Sequence, residues 1–139
     1  MNERYLFRGR IIDLNEWVRG SVIEKDTGTF IIYYENGIEG RFKIIPETVG
    51  RCTGLKDING VKIFEGDIVK DERGNIGVIL YSKHFCEWRI DFYKGRKDLL
   101  LSKFGVDIFT WIYPEMLLEI IGNKYDNPDL LEEKAWEER

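Results

Sequence analysis

Along the first third of the chain, apolar and polar positions alternate in short runs separated by turn residues, the period of strands with one buried face. Residues 5–12 form one run, residues 17–23 a second and residues 29–34 (Thr-Phe-Ile-Ile-Tyr-Tyr) a third. Asn36-Gly37 follows the third run, and both residue types tolerate positive φ, so the pair predicts a tight hairpin turn. Beyond it Ile38, Gly40, Phe42 and Ile44 alternate with Glu39, Arg41 and Lys43, until Pro46 closes the run. Residues 5–45 therefore read as an antiparallel meander.

The pattern loosens after residue 49. Residues 49–60 are dense in glycine and read as a connection, with Asp57-Ile58-Asn59-Gly60 as a turn. A strand is expected over 62–69, interrupted at Gly66, then a turn at 71–75 and a strand over 76–81. In the next run His84, Cys86, Trp88, Ile90 and Phe92 fall on one face and Glu87, Arg89 and Asp91 on the other. Such a succession of short strands resembles the start of a small SH3-like barrel. Leu99-Leu100-Leu101 could begin a short helix or a buried strand, with Gly105 and Pro114 limiting either, and 116–121 form another apolar run ended by Gly122-Asn123. The last stretch differs. Asn127-Pro128-Asp129 supplies a helix cap, a proline at the first helical position and an acidic second residue, predicting a short amphipathic helix. Leu130, Leu131 and Trp136 are its docking side chains, because so short a helix is unstable alone.

Composition agrees with a β-rich core: 43% hydrophobic residues, 14% aromatic residues and 14 glycines in 139 residues. A chain of this size buries enough surface to fold without disulfide or metal. No apolar stretch is long enough to span a membrane. The opening residues lack the basic and apolar regions of a secretory signal, so a cytoplasmic protein with reduced Cys52 and Cys86 is expected. The net charge of −4 lies in the tail, where Asp126, Asp129, Glu132, Glu133, Glu137 and Glu138 outnumber Lys134 and Arg139. The rest of the chain is neutral, which disfavours non-specific nucleic-acid binding without excluding a local basic strip.

Candidate chemistry is sparse. His84 is the only histidine, and with Cys52 and Cys86 it matches no zinc spacing. No serine lies in a nucleophile elbow, and no glycine pattern makes a phosphate cradle. Glu65 and Asp67 flank Gly66 and suggest a carboxylate pair, but an aspartate after glycine more often accepts backbone N–H groups and sets a turn. Asp57-x-Asn59-Gly60 lacks the remaining ligands of a calcium loop. Trp17, Phe30, Tyr33, Tyr34 and Phe42 could stack bases beside Arg8, Arg10, Arg19, Arg41 and Lys43, although most aromatics in so aromatic a chain belong to the core.

Several segments resemble the YopX family, small proteins encoded by bacteriophages and prophages of Gram-positive bacteria. They are Tyr5-Leu6-Phe7-Arg8-Gly9-Arg10, Glu16-Trp17-Val18-Arg19-Gly20, Pro46-Glu47-Thr48-Val49-Gly50, Thr53-Gly54-Leu55-Lys56-Asp57 with Asn59-Gly60, Ile63-Phe64-Glu65-Gly66-Asp67-Ile68-Val69, and Ile121-Gly122-Asn123 followed by Tyr125-Asp126-Asn127-Pro128-Asp129. Residues 88–116 are the least family-like, and Cys52 stands where an aromatic is more usual. The resemblance implies a phage or prophage origin and a β-rich fold with an SH3-like part. It implies no activity, because the family brings no established catalytic residues. Its motif positions Gly54, Asp57, Asn59, Gly60, Glu65, Gly66, Asp67, Gly122, Asn123 and Pro128 are residue types that turns and caps require.

The expectation is a mainly β fold with minor α content: a meander over 1–48, an SH3-like barrel over 49–125 and an acidic helix over 126–139. Catalytic residues, metal and cofactor are expected to be none. The expected role is a non-enzymatic module binding a protein partner or itself, with Leu130, Leu131 and Trp136 as contact residues. Nucleic-acid binding on the barrel or meander face is the alternative.

Overall fold

A computed structural model describes residues 5–84, 86–94, 109–111 and 117–131. The described residues are mainly β, with antiparallel strands in two sheets. It divides into two units, residues 1–54 and 55–139.

The first unit holds the meander. Strand β1 (Phe7–Arg10) pairs with β2 (Trp17–Lys25), β2 with β3 (Gly28–Glu35), and β3 with β4 (Ile38–Ile44). The turn between β3 and β4 is the expected Asn36-Gly37, with φ of 53° and 78°. β5 (Gly50–Lys56) lies on the other side of β1, so residues expected as a connection contain a strand. Its sequence, Gly-Arg-Cys-Thr-Gly-Leu-Lys, shows no alternation. Pairing with β1 makes the strand, through backbone bonds such as Cys52 N–H to the Leu6 carbonyl at 2.8 Å.

Side-chain alternation gives the meander one apolar face. Ile31 and Ile44 are fully buried there, and Gly9 fits under Ile44, whose Cδ1 would lie 2.6 Å from a Cβ at that position. Tyr33 and Phe42 stack on this face with centroids 5.7 Å apart.

The second unit begins within β5, and the turn after Lys56 leads to β6 (Lys62–Phe64), which follows β5 in the hydrogen-bonded order. The other strands are β7 (Asp67–Lys70), β8 (Ile76–Ser82), β9 (Glu87–Lys94), β10 (Phe109–Trp111) and β11 (Glu119–Asn123). They are ordered β10-β9-β8-β7-β11. Ile63, Val69, Ile79, Ile90, Phe92 and Leu118 make the core, flanked by Leu55, Trp88 and Ile120. Among the described residues this sheet is open, and the expected SH3-like barrel does not close.

Two further expectations change. The strand expected from His84 starts at Glu87, and His84 and Cys86 are exposed in the turn before it, Cys86 at φ 53°. The expected C-terminal helix appears as a 3-10 turn, Pro128–Leu131. The remainder of that segment, with Trp136, lies outside the described residues, as does most of 98–114. No helix among the described residues is long and apolar enough to cross a membrane.

Candidate functional site

The motif residues of the second unit are committed to backbone. Asp57 is buried at the start of the turn between β5 and β6, and its Oδ1 accepts the N–H groups of Asn59 and Val61, each at 2.9 Å. Its Oδ2 accepts the Ile120 N–H at 3.1 Å, 63 residues away. The Ile58 N–H donates to the Leu118 carbonyl at 2.9 Å, so the turn and the start of β11 are joined twice. Burial disfavours the Asp57 carboxylate, but the bonds from Ile120, Val61 and Asn59 outweigh it and hold the group below its ordinary pKa. Gly60 completes the turn at φ 79°, and Gly54, at φ 86° in β5, precedes it.

Glu65 and Gly66 form the turn between β6 and β7. Asp67, 2% exposed, accepts the Phe64 N–H at 2.7 Å through Oδ2. Gly66 lies between two strands, its N–H on the Ile79 carbonyl and its own carbonyl accepting the Lys124 N–H, both at 2.9 Å. Glu65 is half-buried. Asp67 thus closes a turn.

A third group lies at the end of β11. Asn123 Oδ1 accepts the N–H groups of Tyr125 at 3.0 Å and Asp126 at 2.9 Å, while its Nδ2 donates to Asp126 Oδ2 at 2.9 Å. Asn127 was expected to cap the C-terminal helix with its side chain. Its Oδ1 instead accepts the Asn123 N–H at 3.2 Å, reaching back toward the strand. A Cβ on Gly122 would sit 2.5 Å from that oxygen, so the hook needs glycine there. Pro128 then opens the 3-10 turn, with Leu130 and Leu131 half-buried.

Among the described residues no three His, Cys, Asp or Glu stand close enough to hold a metal ion. Cys52 is buried and Cys86 exposed, both as free thiols.

The meander carries a different kind of surface. Register places Arg8 opposite Arg19, Arg10 opposite Trp17, Phe30 opposite Lys43 and Ile32 opposite Arg41. Opposed residues of an antiparallel pair share a face, so these cations and Trp17 lie together on the side away from Ile31 and Ile44. The Trp17 ring lies under two guanidinium groups, with the Arg8 and Arg10 carbons 4.9 and 5.2 Å from its centroid. The candidate aromatics divide: Trp17, Phe30 and Tyr34 stand with the cations, while Tyr33 and Phe42 stack on the apolar side. Sequence reasoning named these residues but not the division, which needs the register, and it omitted Lys25, on the same face through its pairing with Gly28.

At the tip of this hairpin Tyr34 and Ile38 are 69% and 72% exposed, beside a cavity of about 210 Å³ lined by Tyr33, Glu35, Asn36, Ile38, Glu39 and Gly40.

The sequence model for YopX protein matches residues 9–132. The chain belongs to the YopX family. The turns at Asp57, Gly66 and Asn123 all lie inside the matched YopX region. Among solved structures, the crystal structure of protein EF1440 from Enterococcus faecalis is similar at 21% identity, with a TM-score of 0.44, over 91% of this chain and 96% of that one. No curated protein matches.

Proposed function

We propose that this YopX-family chain is a non-enzymatic accessory protein of phage or prophage origin, acting in the bacterial cytoplasm by binding protein, and that it first pairs with a second copy of itself along β4. The observation behind this reading is the self-complementary edge of that strand. Among the described residues β4 pairs with β3 on one side. On the other it is bonded at its end, where the Lys43 carbonyl accepts the Ile12 N–H at 3.0 Å beside a bridge between Ile11 and Ile44, so the open part of the edge is at Glu39–Arg41. A two-residue hairpin puts Glu35 and Ile38 in a hydrogen-bonded pair, so Glu39 and Arg41 turn their backbone N–H and C=O groups outward. In an antiparallel pairing centred on Gly40, Glu39 in each copy faces Arg41 in the other, and exposed Ile38 faces Phe42. The alternative centre, Arg41, sets Arg41 against itself and needs the Lys43 carbonyl, which already accepts the Ile12 N–H at 3.0 Å. Each new ion pair is exposed and contributes under about 1 kcal/mol, so the dimer is a weak one.

In the same reading the second unit is an SH3-like half-barrel. The register shifts between Ile76 and Gly77 and between Ile120 and Gly122 are the bulges that bend a sheet toward closure.

Sedimentation tests the pairing. The wild type should dimerise at high concentration, Arg41→Glu should not, and Glu39→Arg with Arg41→Glu should dimerise again because opposite charges are restored. A wild type that stays monomeric, or a double variant no better than the single one, would count against the edge.

A further inference from the structure

The polar face of the meander shares Glu39 and Arg41 with the edge pairing, but the chemistry of its remaining residues points to a different ligand. We infer that this face binds single-stranded nucleic acid. The first unit as a whole is electrically balanced, so the inference rests on where register sends the charges. Alternation along the paired strands puts Arg8, Arg10, Arg19, Lys25, Arg41 and Lys43 on one face. Among the paired strand positions of that face, Glu39 is the only carboxylate, 3.4 Å from Arg41. The unit's other described acids stand in turns and loops, at strand ends, or on the opposite face, as Glu24 and Glu35 do.

The face is graded. Arg8 is buried and Arg10 half-buried, and the two hold Trp17 at one end. Arg19, Lys25, Arg41 and Lys43 are exposed across β2 and β4. Between those strands runs β3, which contributes half-buried Phe30 and exposed Tyr34. With strands about 4.8 Å apart, the cations of β2 and β4 stand about 10 Å from each other across Phe30 and Tyr34, which flank buried Ile32. Cations on either side of two separated rings suit a single strand, whose phosphates meet the charges while an unpaired base stacks on exposed Tyr34. A duplex keeps its bases stacked internally, and a sheet face presents no helix or projecting ribbon to enter a groove. The charge of the whole molecule, −4, opposes long-range steering. Binding is therefore short-range and modest, and not sequence-selective, because each ring accepts any base.

The test is fluorescence anisotropy of a labelled oligo(dT) of about 15 nucleotides, long enough to cross the face, in about 50 and about 200 mM salt. Engagement of about three phosphates predicts a log–log salt slope of about −2. Arg19→Glu should weaken binding several-fold. Tyr34→Ala should weaken it about ten-fold, and Tyr34→Phe, which keeps the ring, should retain it. Lys56→Glu, which changes the net charge by the same amount as Arg19→Glu but lies in the second unit, should weaken binding much less than Arg19→Glu does. No binding at the lower salt overturns the inference. So does a matched duplex bound as tightly, with Tyr34→Ala without effect, because charge alone would then account for it. Sedimentation of the same variants separates this from edge pairing: loss of oligonucleotide with the dimer intact belongs to the face alone.

Discussion

Asp57 shows how one residue can hold distant parts of a fold. Its two oxygens accept three backbone N–H groups, two inside its own turn and one from Ile120. Asp57→Ala leaves those donors without their acceptor and should cost about 3 kcal/mol, read as a lower urea midpoint at unchanged slope. The carboxylate's pKa is lowered in the folded chain despite its burial. Its contribution is therefore complete above the unfolded pKa and is lost as pH falls through the folded one. Stability should drop on acidification across that window, and Asp57→Asn should flatten this limb. An unchanged acid limb in the variant would assign the loss to other carboxylates. The turn role of Asp57 was legible because aspartate two residues before Asn-Gly is a local signal. The bond to Ile120 was not, because nothing local encodes a partner 63 residues away.

At the scale of elements, strands that alternate were legible and strands that borrow their order from neighbours were not. β3 and β4 could be read from sequence with their turn, since Asn36-Gly37 tolerates the positive φ it adopts. β5 could not, because Gly-Arg-Cys-Thr-Gly carries no period and becomes a strand by pairing. The start of β9 was misjudged for the opposite reason: alternation continued back through His84 and Cys86, but the chain turns there. Glycines show the same dependence on neighbours. A Cβ on Gly20 would collide with the Ile32 carbonyl oxygen across the β2–β3 pair, a backbone atom that cannot swing aside. Gly20→Ala should force these strands apart and destabilise the chain by about 2 kcal/mol. Thermal unfolding checks this, and an unshifted midpoint would show that the pair has slack.

For the whole molecule, the distribution of charge matters more than its sum. Residues 132–139 hold Glu132, Glu133, Glu137 and Glu138 against Lys134 and Arg139, so a chain ending at Leu131 changes from −4 to −2 and keeps the Asn123 hook. That truncation should tighten oligonucleotide binding at about 50 mM salt, with the gain fading as the Debye length shortens. Equal affinity at both salt concentrations would show that the tail's field does not reach the face. By itself the sequence determined the β character, the meander, the Asn36-Gly37 hairpin and the turn residues, because these follow from period and from backbone preferences acting over a few positions. Only the tertiary structure decided that β5 is a strand, that Asp57 is tied to β11, that Asn127 turns back to Asn123, and that the candidate aromatics divide between two faces. Each of these depends on register between segments far apart in the chain, and pairing across a sheet has no local signature.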